Sequence, residues 1–332
     1  MRRIIALLAA VMMLLGVMAG CTVKTGETDE RPYVVCTIFP QYDFVKNIVG
    51  STMNLELLVP AGTETHAFAV KDLSAAHLDK LLDADLLVSV GGESDEKLME
   101  ELHKFYEGKN TNVKFVEIVE LVSEKLEESE TMGMHVEEEA GEGEGEEHEH
   151  EEGKEEEFDE HVWTSPKRAV EIVNGLVPYL TALLPENAET YKANAKAYVE
   201  KLEALDAKFE EVVSKKTVDT LIFADRFPFR YLCCDYKLSA DAAFQGCSTS
   251  IEPAAATLDY LYNKAAELKL PAIMYMEGSK PTYAEKLAKD LGVRALLLHS
   301  CHVISQDDFD NKDYISIMEQ NVETLKIALG VK

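Results

Sequence analysis

The sequence predicts an α/β protein of two lobes, each a mainly parallel sheet flanked by helices, joined by one long rigid backbone helix. Two observations predict it. From Pro32 onward, short β-branched runs alternate with amphipathic stretches, the pattern of strand and helix units around a parallel sheet. The alternation occurs twice, on either side of a long helical pattern that starts near Asn187.

In the first half the strands are YVVCTIF, LELLVP, DLLVSVGG and VKFVEIVE, with helices near 41–50, 74–83 and 94–107. The linking helix runs from Asn187 to about Ser214, with Tyr191, Tyr198, Leu202, Leu205, Phe209 and Val213 at helical spacing and Pro185 and Asn187 marking its start. At about 1.5 Å per residue it spans about 40 Å, enough to pass from one lobe to the other and limit hinge motion. The second half repeats the architecture with TLIFA, a short run at ADAAF, AIMYMEG and RALLLHS, and helices near 252–268, 281–291 and 313–329.

Ahead of the lobes, Arg2 and Arg3 precede an apolar stretch from Ile4 to Met18, then Ala19, Gly20 and Cys21. This reads as an export signal, because the stretch is shorter than the roughly 20 residues that span hydrocarbon. VMAGC resembles a bacterial lipobox, which makes Cys21 the lipidated residue of a chain held on the extracytoplasmic face of a bacterial membrane. The expected division is a signal peptide over 1–20, a tether over 21–31, a first lobe over 32–185, the linking helix over 186–215 and a second lobe over 216–332. About 310 residues then remain, enough for two cores.

The net charge of −28 has a local source. Between His135 and His161 stand fifteen Asp or Glu residues against one lysine, so half of the charge lies in one segment. The segment, about 128–158, reads as a disordered loop, with His135, His148 and His150 as a weak metal-collecting set. Nucleic acid is excluded as a partner, since phosphate binding needs clustered Lys and Arg.

The chemistry lies in histidines at strand ends. His66 follows a strand in VPAGTETHAF, His161 precedes a helix in FDEHVWTSPKRA, and His299 and His302 close the last strand in RALLLHSCHVIS. Ligands of open α/β sheets bind beyond the carboxyl ends of the strands, so two facing lobes could bring these imidazoles together around a transition metal. A single loop histidine has an ordinary solvated reading too, and spacing alone leaves both open.

VVCTIFPQYDFVKNIVG, LVPAGTETHAF, the acidic insertion, HVWTSPKRAVEIV and SIEPAAATLDYL together resemble the zinc and manganese substrate-binding lipoproteins of ABC transporters, over nearly the whole mature chain. The resemblance implies two lobes, a metal cleft between them, an ABC permease as partner, no catalysis and a monomer. It implies His66 and His161 as the first two metal ligands. The remaining ligands depart from the family pattern. FADRFPFRYL places Ala224 or Asp225 where many members carry histidine or glutamate. LHSC places His299 where an aspartate is usual, with His302 as fourth ligand. The inferred site is therefore His66, His161, His299 and His302, with Asp225 and Glu277 as auxiliaries. An imidazole-rich set suits Zn²⁺ better than Mn²⁺, while cobalt, nickel and copper are chemically compatible.

Cys247 and Cys301 are the preferred disulfide of an oxidising compartment, the rival being Cys301 as a thiolate ligand. Two other functions compete. A secreted zinc hydrolase would use Glu277 as base, but no HExxH helix supports it; an adhesin or organic-solute receptor could use the same frame.

Overall fold

Alternation along the strands places apolar side chains on both faces of each sheet. In β1 (Tyr33–Cys36), Val34 and Cys36 join one core while Tyr33 and Val35 join another. A parallel sheet covered by helices requires such two-sided burial. The computed structural model describes residues 29–128, 131–134, 158–246, 248 and 252–332.

β1, β2 (Asn54–Leu57), β3 (Leu86–Ser89) and β4 (Lys114–Glu117) form a parallel sheet in the order β2-β1-β3-β4. Its helices are α1 (Phe39–Val49), α2 (Ala75–Leu81) and α3 (Glu93–Tyr106). Local sequence sets their starts: Gln41 accepts from the Ile38 amide ahead of α1, and the Ser74 hydroxyl accepts from the His77 amide at α2. After α4 (Pro166–Leu183) comes the linking helix α5 (Ala188–Ser214). The second sheet repeats the first, with β5 (Thr220–Phe227), β6 (Ser239–Gln245), β7 (Ala272–Met276) and β8 (Arg294–Leu298) in the order β6-β5-β7-β8, again parallel. Its helices are α6 (Arg230–Asp235), α7 (Ala255–Leu268), α8 (Thr282–Leu291), α9 (Gln306–Asn311) and α10 (Tyr314–Ala328).

The linking helix bonds to both lobes. Toward its start the Asn194 side chain donates to Ile48 O at 2.9 Å and the Tyr198 hydroxyl to Asp43 at 2.8 Å, both on α1. Toward its end Lys208 pairs with Glu319 of α10, and Asp206 accepts from the Tyr236 hydroxyl at 2.7 Å. One core runs along it from Val34 to Leu329, while the outer face of each sheet has a core of its own. The short helices α6 and α9 were not expected; at six residues each they carry no apolar stripe to read. Among the described residues no helix is long and apolar enough to cross a membrane.

Candidate metal centre

Three separate segments converge at the carboxyl ends of the two sheets. The loop after β2 leads into a single 3-10 turn, Thr65–Ala67, which carries the half-buried His66. That loop reaches the other lobe, where the Gly62 amide donates to Ile304 O at 2.6 Å.

The second segment runs from Asp159 to Ser165 ahead of α4. Asp159, Glu160 and His161 are all buried. Asp159 Oδ1 accepts from the His161 amide at 2.8 Å and lies 3.2 Å from His161 Nδ1. A carboxylate that accepts the Nδ1–H hydrogen bond leaves the Nε2 lone pair for another partner. Nε2 lies 3.8 Å from Glu160 Oε1. Two glycines make room for this segment: a Cβ on Gly92 would stand 2.2 Å from Glu160 Oε2, and one on Gly246, at the end of β6, 2.8 Å from His161 Cε1.

The third segment, His299 to His302, follows β8. Glu277 organises it, accepting from the Ser300 amide and hydroxyl and from the His302 amide at 3.0 Å. Trp163 ties the second segment to the third, its indole N–H donating to Ser300 O at 2.8 Å.

His302 is the meeting point. Its ring centroid lies 5.5 Å from that of His161 and 6.2 Å from that of His66. Glu160, His161 and His302 present ligand atoms all within 4.8 Å of one another. His302 Nε2 is buried without a hydrogen-bond partner among the described residues, a costly state for a buried polar atom. Burial, with His161, His66 and Arg226 nearby, pushes the His302 pKa well below its ordinary value. Burial acts the same way on His161, but Asp159, Glu160 and Glu128 outweigh it and raise that pKa.

The other expected site residues stand apart. His299 has no ring contact with His66, His161 or His302 among the described residues; its Nδ1 accepts from the Cys301 amide at 2.9 Å and its ring faces Glu277. Asp225 is a scaffold, accepting from the Arg226 and Met276 amides and the Ser279 hydroxyl. Glu277 is spent on the third segment. Cys301 is a buried free thiol whose pKa burial raises, an environment unlike that of a thiolate ligand. Its expected partner Cys247 lies outside the described residues, as do Cys21, His135, His148 and His150. Sequence reasoning missed Glu160, Asp159 and Arg226. The first two were in view beside His161 in FDEH, but were read as the tail of the acidic run.

The family model for ZnuA, zinc-uptake complex component A periplasmic, matches residues 34–328. The zinc-binding lipoprotein AdcA of Streptococcus pneumoniae is 32% identical over 98% of this chain, which covers 61% of that protein. The chain thus spans about three fifths of the length of that relative. The high-affinity zinc uptake system protein ZnuA of Bacillus subtilis is 29% identical over 91% of this chain and 89% of its own. The crystal structure of the Zn(II)-bound ZnuA-like domain of S. pneumoniae AdcA superposes with a TM-score of 0.67 at 30% identity, over 90% of this chain and 99% of that one. The matched span takes in all three converging segments, and the chain belongs to the family of zinc-uptake complex component A.

Proposed function

We propose that the chain captures Zn²⁺ outside the cytoplasm as a monomer tethered by a lipid on Cys21, and delivers it to the permease of an ABC-type uptake transporter. One observation carries the metal reading: the buried imidazoles of His161 and His302 and the half-buried one of His66 meet, and His302 Nε2 has no hydrogen-bond partner among the described residues. His66, His161 and His302 are the proposed imidazole ligands, and Glu160 the carboxylate that completes a four-coordinate set. Three nitrogens and one oxygen suit zinc. Asp159 serves as the outer carboxylate that fixes the His161 ring.

The reading is of a carrier and not an enzyme. A hydrolase needs an open coordination position and a free base, whereas Glu160 as the proposed fourth ligand would close the first and Glu277 is engaged by Ser300 and His302. The names of the relatives, a zinc-binding lipoprotein and a zinc uptake protein, support the cargo and the extracytoplasmic setting.

Competitive zinc titration of the purified full chain tests the assignment. One tight zinc per chain is expected, lost by more than about 100-fold in His161→Ala and in His302→Ala, and kept within about threefold in His299→Ala. Full affinity in either of the first two variants contradicts the site.

A further inference from the structure

We propose that Arg226 and Glu64 form a latch between the lobes that positions His66 and sets how fast the metal leaves; the inference rests on the zinc reading above. Glu64 is the residue from which the 3-10 turn bearing His66 springs. Arg226 lies at the far end of β5, past the register shift that follows Phe223. Its Nη2 donates to Glu64 Oε1 at 3.0 Å and to the Ser279 hydroxyl at 3.3 Å.

The second-lobe half of the latch is fixed. Ser279 is itself bound to Asp225, which accepts from the Met276 and Arg226 amides, so the guanidinium stands on the joined ends of β5 and β7. Arg226 is 8% exposed and its Nε has no hydrogen-bond partner among the described residues. The first-lobe half packs on its own lobe through the buried Thr65 and the contact of the 3-10 turn with α3. Besides the Glu64 pair, the Gly62 amide bond to Ile304 O anchors the loop on the second lobe.

Chemistry makes the two partners unequal. Removing Arg226 releases Glu64 to water and undocks the loop. Removing the Glu64 charge also undocks it, and in addition leaves the buried guanidinium with Asp225 as its neighbouring carboxylate, more cationic toward the place of a divalent ion, which repels that ion. The two losses therefore rank, and taking the cation away as well undoes the second part.

Zinc dissociation from the full chain, followed after addition of excess chelator, reads this order. Arg226→Met is expected to release zinc about tenfold faster than the parent, Glu64→Gln faster still, and the double variant at the rate of Arg226→Met. Single-variant rates within about twofold of the parent, or a double variant whose acceleration is the product of the two, overturn the latch. A second readout needs no metal: hydrogen exchange at the Gly62 amide of the zinc-free chain should quicken in both single variants, and unchanged exchange overturns the latch. A parent chain that binds no zinc defeats the proposed function, while the exchange measurement still decides the latch.

Discussion

Two segments, 159–164 and 299–302, present the same side chain to one point by opposite means. Around His161 the carboxylate grips the ring: Asp159 meets Nδ1 and the residue's own amide. Around His302 the carboxylate grips the chain and not the ring: Glu277 takes the amides of Ser300 and His302 and the Ser300 hydroxyl, and His302 Nε2 has no hydrogen-bond partner among the described residues. The first imidazole is oriented and proton-hungry, its pKa raised against its burial; the second is neutral, its pKa pushed well down. The difference teaches that a cation site can be prepared in two currencies, orientation on one side and a proton-free lone pair on the other.

The comparison breaks most severely at the rings themselves, where His161→Ala and His302→Ala each remove a proposed ligand. Next comes the Glu277 grip. In Glu277→Gln one acceptor oxygen becomes an NH₂ group facing backbone donors, so zinc affinity falls about 10- to 100-fold and the zinc-free fold loses about 1–3 kcal/mol, measured by titration and by denaturant unfolding.

Asp159→Asn sharpens the contrast. Affinity at neutral pH should drop about tenfold. The acid limb should also shift, because without the carboxylate the His161 pKa falls and protons compete less. The sign for the zinc-free fold follows from the raised pKa: His161 stabilises it fully below its unfolded value of about 6.5 and loses that stabilisation as pH rises through the folded value. The stability gap between the parent and Asp159→Asn is therefore widest in mild acid and narrows toward pH 8, as unfolding across pH will show. The smallest effect belongs to the acidic segment: deletion of residues 137–157 should leave tight zinc affinity within about threefold, since every donor of the proposed site lies outside it.

The fold was legible because its signals are local. Alternating apolar positions gave the strands, and helical spacing from Tyr191 to Val213 gave the link between lobes. Of the proposed site, His66, His161 and His302 are all histidines that the sequence itself singles out. What separates His302 from His299 is a turn that composition does not reveal. Cys301 adopts a left-handed backbone at φ 63°, unusual for a residue with a side chain, and this turn separates the roles of His299 and His302. His299 folds back onto the Cys301 amide, while His302 emerges against His161 and Trp163. Glu160 and Arg226 were hidden for another reason: their significance comes from contacts across 66 residues to Ser94 and 162 residues to Glu64.

The central claim is that His302, and not His299, meets the cargo together with His161 and His66. A crystal structure of the zinc-loaded full chain, with the ion located by its anomalous scattering, tests it most directly. The account predicts one ion about 2.0–2.1 Å from a ring nitrogen of each of His66, His161 and His302, with a Glu160 oxygen at a similar distance. An ion bound through His299, or one held away from His302, would contradict it.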